Sequence, residues 1–240
     1  QFPSIKFSKK KIHSDLEASQ NWIYNQNQFF HKDKINFIKT HSCLYPYKNN
    51  KFTTKNETIA AIYIVRDPRN ILTSMKHHYS LNYDQALERL LDENLSILEK
   101  TSDNDFSNFT FISSWVKNYK SWKENTEFET LFIKYEDLKK NKLEIFKKII
   151  LFINKVSNKN NTIDERKFIN SINSTNFTNL KNKEFNEGFV ESVYSKKTGK
   201  KLSFFNLGFN NRWEKLLPKE ILQKINKNLN KELIELGYDI

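Results

Sequence analysis

One stretch of the sequence changes from a continuous apolar run to the start of a helix. Residues 58–65 are mostly β-branched or aromatic, and apolar side chains occupy both alternating faces of the predicted strand. Such a run is typical of a strand buried inside an α/β sheet. After Arg66, Asp67 suits the N-cap of a helix, and Pro68 suits the first turn, where no N–H donor is needed. The pattern therefore predicts a buried strand that leads directly into a helix N-terminus.

Similar patterns divide most of the chain into strands and helices. Short apolar runs at 35–38 and 129–134 predict two further strands. Apolar side chains at helical spacing predict helices over 14–30, 68–80, 83–98, 109–123, 136–154, 163–172 and 218–236. Because strands and helices alternate, the sequence favours an α/β fold, in which helices flank a central parallel sheet.

The composition suits a folded domain that prefers anionic ligands. The 240 residues include 38% hydrophobic side chains and 20 Phe, enough for one domain with a full core. The formal net charge of +12 favours nucleotides, acidic glycans, nucleic acids or anionic membranes, without choosing among them. The single cysteine, Cys43, has no partner for a disulfide within this sequence. No apolar run approaches the ~20 residues of a membrane-spanning helix. Since no signal peptide is found either, we expect a cytoplasmic location.

The carboxyl end of the strand predicted over 58–65 has the features of a phosphate site. Ligands of open α/β sheets bind outside the carboxyl ends of the strands. Helix N-termini attract anions through their free N–H groups and the helix dipole. Arg66 adds a planar set of donors that suits phosphate. The alternative interpretation is an ordinary strand–helix junction with a solvated arginine.

This junction resembles a motif of the sulfotransferases that use 3′-phosphoadenosine 5′-phosphosulfate (PAPS). The shared features are a strand, an arginine, the sequence Asp-Pro-Arg-Asn, and a serine eight residues after the first arginine. In that family the arginine and the serine hold the 3′-phosphate of the nucleotide. The resemblance implies this role for Arg66 and Ser74, and it implies a fold like that of the P-loop nucleotide kinases.

A second motif of the same family lies upstream, at the end of the strand predicted over 35–38. Residues 37–41, with the sequence Phe-Ile-Lys-Thr-His, resemble its Lys-Thr-His segment. In the family the histidine takes the proton of the acceptor hydroxyl, and the lysine positions or neutralises the sulfuryl group. The resemblance implies these roles for His41 and Lys39. Without it, a packed histidine and a surface lysine are the simpler interpretation.

Two later segments resemble the parts of the family that contact the nucleotide. Tyr135 follows the strand predicted over 129–134, as does a family tyrosine that lines the nucleotide site. Thr175 and Phe177 match a Thr-Ser-Phe segment that contacts the adenosine half, although Asn176 replaces the serine. The resemblance therefore implies that Tyr135, Thr175 and Phe177 contribute to nucleotide binding.

The last family motif is matched only in part. Gly208 and Trp213 have its spacing, and Gly208 is expected to hold the 3′-phosphate through its main chain. Asn206 and Leu207 stand where the family has an Arg-Lys pair. The preceding segment, 186–203, is polar and basic and is predicted to be a mobile loop. The basic residues that could replace the missing pair are Arg212, Lys196, Lys197, Lys200 and Lys201.

The resemblance covers almost the whole sequence except the first element of the family. That element is a strand followed by a Pro-Lys-Ser-Gly-type loop that wraps the 5′-phosphosulfate, and no segment here matches it. Because the sequence begins at Gln1 rather than methionine, we expect that residues carrying the loop precede it; a true loss is the alternative. Residues 1–240 are otherwise predicted to form a single sulfotransferase-like domain.

The function implied by the resemblance is transfer of a sulfuryl group from PAPS to a hydroxyl or amine. The co-product is PAP, the adenosine bisphosphate that remains, and no metal is required. The acceptor is expected to be a small molecule, a saccharide or a lipid, and neither it nor the oligomeric state is defined by the sequence. A P-loop nucleotide kinase is an alternative, although no Walker A motif is present. An inactive or basic module that binds PAP or other polyanions is another, although no motif specific for nucleic acid is found.

Overall fold

A computed structural model of the chain describes residues 1–30, 34–98, 104–195 and 198–240, with the main chain alone at residue 209. The described chain divides into two compact units. Unit 1 contains Gln1–Val65, Leu91–Ile133 and Leu151–Asn160, and unit 2 contains Arg66–Leu90, Lys134–Ile150 and Asn161–Ile240. The single domain over 1–240 stays a prediction.

Helices and strands alternate along the described chain. The helices are α1 (Asp15–Gln20), α2 (Trp22–Phe29), α3 (Pro68–His78), α4 (Tyr83–Leu91), α5 (Trp115–Lys123), α6 (Tyr135–Lys140), α7 (Lys142–Val156), α8 (Glu165–Ser174), α9 (Phe177–Glu187), α10 (Trp213–Leu216) and α11 (Lys219–Glu235). The strands are β1 (Ala60–Val65), β2 (Ser96–Ile97), β3 (Thr110–Phe111), β4 (Glu129–Lys134), β5 (Val193–Tyr194) and β6 (Lys201–Leu202). β1 and β4 are neighbours in a parallel sheet, while β2–β3 and β5–β6 are antiparallel pairs. The predicted α/β fold is confirmed.

Aromatic side chains pack the sheet of unit 1 against α5. The ring of Tyr63 on β1 stacks on Phe132 of β4, with centroids 5.3 Å apart, and its hydroxyl donates to Asn118 Oδ1 at 2.8 Å. Burial raises the pKa of Tyr63. Ile62 and Ile64 point to the opposite face and are 37% and 50% exposed. The prediction that β1 is buried on both faces is therefore wrong for the described chain, because only the face of Tyr63 is packed against α5.

A second core of unit 1 surrounds α1 and α2. Buried side chains from distant parts of the sequence form it: Phe2, Ile12, Ala18, Trp22, Phe52 and Phe109. Ser14 caps α1 as predicted, because its side chain accepts from the Glu17 N–H. The single helix predicted over 14–30 is instead divided at Asn21, whose amide donates to the Glu17 carbonyl at 2.7 Å. An asparagine that bonds to the main chain in this way competes with continuous helix.

The strand predicted over 35–38 is wrong. Residues 34–43 have no regular secondary structure, and Phe37 is 72% exposed. A strand needs a neighbour to accept and donate its main-chain hydrogen bonds. Here the Lys39 carbonyl instead accepts from the N–H of Phe2 at 2.9 Å, which ties the segment to the N-terminal core.

Strand pairing also moves two predicted helix boundaries. Because Ser96 of β2 pairs with Phe111 of β3, α4 ends at Leu91 rather than near 98. The helix predicted to start at 109 starts at Trp115, with Ser114 as its N-cap. The helix predicted over 136–154 is divided at Asn141 into α6 and α7.

Unit 2 keeps the predicted helix start after β1. The Asp67 carboxylate caps α3 by accepting from the Arg69 N–H at 2.9 Å, and Pro68 lies in the first turn.

The segment predicted as a loop over 186–203 contains the β5–β6 hairpin. The apolar face of α11 is buried through Ile221, Ile225, Leu229 and Leu233. Among the described residues, no helix is both long enough and apolar enough to cross a membrane.

Candidate functional site

Arg66 lies in unit 2, between the end of β1 and the start of α3. Its guanidinium stacks over the Tyr135 ring, 4.5 Å from the centroid, so two of the predicted nucleotide residues lie together. Its Nε atom is buried and has no hydrogen-bond partner among the described residues. Buried donors nearly always have an acceptor. An arginine donor without one, next to a helix N-terminus, fits an anionic ligand.

The second arginine of the motif has a structural role. Arg69 and Asp67 are both buried, and the Asp67 carboxylate accepts from Arg69 Nε at 2.9 Å and Nη2 at 2.8 Å. The Arg69 guanidinium lies 3.9 Å from the centroid of the Trp213 ring. The charge of Arg69 is therefore neutralised by Asp67, although its Nη1 atom, like Arg66 Nε, is buried without a hydrogen-bond partner among the described residues. The ion pair, which Arg66 lacks among the described residues, is what distinguishes the two arginines.

Asn211 joins the last predicted motif to α3. Its Nδ2 donates to Ser74 Oγ at 2.8 Å and to the Asn70 carbonyl at 3.1 Å, and its Oδ1 accepts from the Thr73 hydroxyl. The Asn70 Oδ1 accepts from the Trp213 N–H at 3.0 Å. Ser74 Oγ also donates to the Asn70 carbonyl at 3.1 Å. A phosphate that accepts from the Ser74 hydroxyl would therefore replace a bond within α3.

Phe177 and Gly208 are in direct contact. The main chain of Gly208 has a φ of +53°, and a Cβ there would lie 2.4 Å from the Phe177 ring, so a larger residue would not fit. Phe177 also contacts Phe205 edge-on, with centroids 6.1 Å apart. The side chain of Thr175 is exposed, and its hydroxyl donates to the Ser171 carbonyl at the end of α8. The structure thus brings Phe177 and Gly208 together and gives Thr175 a role at a helix end.

Arg212 is the basic residue that directly follows this network. Its side chain is exposed, and it occupies the N-cap position of α10. Lys200 and Lys201 are exposed near and within β6. The other two predicted candidates, Lys196 and Lys197, lie outside the described residues.

The predicted catalytic residues lie in unit 1, whereas all the predicted nucleotide residues lie in unit 2. The side chains of Lys39 and His41 are exposed. The main chain around His41 is fixed by α5, because Asn118 Nδ2 donates to the His41 carbonyl at 3.2 Å and Trp122 Nε1 donates to the Ser42 carbonyl at 3.0 Å. An exposed imidazole on a fixed main chain is suited to proton transfer with a bound molecule.

Sequence reasoning missed the residues that hold these segments in place. Glu136 accepts from the Asp67 N–H at 3.2 Å and from the Tyr238 hydroxyl at 3.0 Å. Burial and the Glu136 charge raise the pKa of Tyr238. Asn118 and Asn211 gave no signal, because asparagine is frequent throughout the sequence. Among the described residues, no group of three or more His, Cys, Asp or Glu side chains could hold a metal ion.

Comparison with known proteins identifies the family. A family model described as "Sulfotransferase domain" matches residues 5–237. The chain therefore belongs to the sulfotransferase domain family, as the motifs predicted. Among solved structures, it is similar to mouse sulfotransferase SULT7A1 complexed with PAP, at 19% identity and a TM-score of 0.48. The match covers 78% of this chain and 62% of that chain.

Proposed function

We propose that the chain transfers a sulfuryl group from PAPS to an acceptor hydroxyl or amine. The observation that carries the proposal is the Arg66 guanidinium, which is stacked on Tyr135 with a buried Nε that lacks a hydrogen-bond partner among the described residues. The family assignment supports a sulfated donor, and the net charge of +12 suits a donor with several phosphates. A cytoplasmic location is part of the proposal.

In this proposal, unit 2 holds the nucleotide. Arg66 and Ser74 bind the 3′-phosphate, and Tyr135 lines the site through the ring that supports Arg66. The residues proposed to complete the site around the adenosine and the 3′-phosphate are Thr175, Phe177, Gly208 and Arg212. Two of them, Phe177 and Gly208, are already in contact, which supports a shared role.

His41 and Lys39 carry the chemistry in this proposal. The His41 imidazole accepts the proton of the acceptor hydroxyl or amine while the acceptor atom forms a bond to sulfur. The bond between sulfur and the bridging oxygen of the 5′-phosphate breaks, and PAP leaves with that oxygen. Lys39 offsets negative charge on the sulfuryl oxygens. This sequence of steps needs no metal, and the acceptor is a small molecule, a saccharide or a lipid.

The first experiment is calorimetric titration with PAP, adenosine 5′-phosphate and ATP. We expect tight binding that requires the 3′-phosphate, and Arg66→Ala should weaken PAP binding by about 1.5–3 kcal/mol, as for a lost hydrogen bond to a charged group. Arg89→Ala is the matched control, because the Arg89 guanidinium stacks on Tyr79 at the same 4.5 Å. It should leave the PAP affinity unchanged.

The results also separate the alternatives. Binding of ATP that requires Mg²⁺, without a preference for PAP, would identify a nucleotide kinase instead. Equal affinities for PAP and adenosine 5′-phosphate, with a steep dependence on salt, would identify a basic polyanion-binding module. Either result would refute the proposed donor.

The second experiment separates catalysis from binding. His41→Ala should lower the rate of sulfuryl transfer by about 10²–10⁴-fold and leave the PAP affinity unchanged, because a general base acts after the donor is bound. His13→Ala is the control, since His13 is exposed in the same unit. If His41→Ala weakens PAP binding as much as Arg66→Ala does, the two roles have been assigned wrongly.

A further inference from the structure

A single buried carboxylate fixes the chain on both sides of the β5–β6 hairpin. Glu184 lies in α9 and is 8% exposed. Its Oε1 accepts from the Ser192 hydroxyl and the Phe204 N–H, both at 2.6 Å. Its Oε2 accepts from the Ser203 hydroxyl and the Phe205 N–H, both at 2.9 Å. Ser192 precedes β5, and the other three donors follow β6, so α9 holds both ends of the hairpin.

These hydrogen bonds stabilise the charged form of Glu184. Burial by itself would raise the pKa of this carboxyl group, but the bonds from the two hydroxyls and two N–H groups outweigh it and lower the pKa to about 2. All four donors are neutral groups of the protein, and two of them are main-chain N–H groups. The carboxylate therefore fixes the conformation of the main chain around it.

The chain that begins at these donors runs through the last predicted motif; we call it the 203–212 segment. After its start at Glu184, it is held in the middle by the contact between Gly208 and Phe177. Near its end it is held by the bond from Asn211 Nδ2 to Ser74 Oγ. Glu184 and Phe177 both belong to α9, so this helix sets the position of the first two attachment points.

We infer that Glu184 is a positioning residue, which holds the 203–212 segment in the conformation that binds the 3′-phosphate of the nucleotide. This inference rests on the proposed function. Glu184 acts through the main chain at 204 and 205 and is not itself a ligand, because its lone pairs are directed to the four donors. If the segment loses its attachment to Glu184, only the contact of Gly208 with Phe177 and the bond from Asn211 to Ser74 still hold it, so the positions of Gly208 and Arg212 are less closely fixed.

The test is Glu184→Gln, which keeps the size of the side chain. An amide has one oxygen and one NH₂ group, so in either orientation an NH₂ donor faces the N–H of Phe204 or Phe205. We expect faster hydrogen exchange over the 203–212 segment and a loss of about tenfold in PAP affinity, while the affinity for adenosine 5′-phosphate stays within about twofold. Glu187→Gln is the control, because Glu187 is an exposed carboxylate on the same helix and should change neither quantity.

A second variant keeps the test valid if Glu184→Gln fails to fold. Ser203→Ala removes one hydroxyl donor and leaves the carboxylate with three, so it should reduce PAP affinity in the same direction by about twofold to threefold. Equal losses for PAP and adenosine 5′-phosphate would show a general structural role and overturn the inference. So would an unchanged preference for PAP, or unchanged exchange over the segment. If the unaltered chain itself shows no preference for PAP, the proposed function has failed, whereas a preference that survives Glu184→Gln refutes only the inference.

Discussion

Removal of one charge from the buried pair at the start of α3 is expected to destabilise the chain strongly. Asp67 is 3% exposed and Arg69 is 1% exposed, and they share three hydrogen bonds between side chains. Asp67→Asn removes the charge but keeps a residue that caps helices as well as aspartate does. The substitution therefore isolates the ion pair from the helix cap.

The magnitude follows from the charge that is left behind. Removal of one member of a buried pair typically costs about 3–5 kcal/mol, because the other charge stays buried without compensation. Arg69 keeps its stacking on Trp213, which is worth about 0.5–2 kcal/mol for a cation over an aromatic ring. We therefore expect a loss near the lower limit, about 3 kcal/mol.

The assay is denaturant unfolding followed by circular dichroism and tryptophan fluorescence. Asp84→Asn is the matched control, because Asp84 pairs with Lys224 at 2.6 Å while both side chains are more than half exposed. Such exposed pairs contribute under about 1 kcal/mol. The double variant Asp67→Asn/Arg69→Met should be more stable than Asp67→Asn alone, since it removes the uncompensated charge. The reasoning is refuted if Asp67→Asn costs no more than Asp84→Asn, or if the double variant is the less stable one.

Three further predictions concern the 203–212 segment and its contacts. Because Glu184 has a folded-state pKa of about 2 against an ordinary 4.5, its contribution to stability is present above pH 4.5 and is lost as the pH falls toward 2. The unaltered chain should therefore be about 2–3 kcal/mol more stable than Glu184→Gln at neutral pH, and this advantage should shrink as unfolding is measured from pH 7 down to pH 3. Gly208→Ala should cost about 2–4 kcal/mol, because it adds both backbone strain and a clash with Phe177; Gly199→Ala, where φ is also positive but a Cβ meets nothing within 4 Å, should cost only the strain, and equal losses in chemical denaturation would contradict this explanation. Asn211→Ala should lower the midpoint of thermal unfolding by about 2–4 °C per kcal/mol lost, because its amide no longer bonds to α3; an unchanged midpoint would show that these bonds add no net stability.

The strand–helix junction at Asp67 could be predicted from the sequence, whereas a strand that needs a distant partner could not. The start of α3 was predicted correctly, because a cap depends on residues that are adjacent in sequence, here Asp67 and Pro68. The strand predicted over 35–38 was wrong, because a strand also needs a partner, and the composition of the segment says nothing about one. The end of α4 was misplaced for the same reason. Residues 96 and 97, which were predicted to be helical, form β2 and pair with β3 later in the chain.

The candidate site shows the same division. The motif that includes Arg66 and Ser74 could be recognised from sequence because its residues lie within one strand–helix junction. The ion pair that neutralises Arg69, and the buried Nε of Arg66 without a hydrogen-bond partner among the described residues, could not be recognised, because both depend on which groups are buried together. Asn211 bonds to a residue 137 positions away, and an asparagine in this sequence carries no signal of that contact.

By itself, the sequence determined the family, the α/β class and the caps of α1 and α3, because all of these depend on short-range patterns. The tertiary structure decided which face of β1 is covered, which of two neighbouring arginines is held by an aspartate, and that Glu184 fixes the 203–212 segment. Those outcomes depend on the burial of charges and the pairing of main-chain groups, and both are settled only when distant parts of the chain pack together.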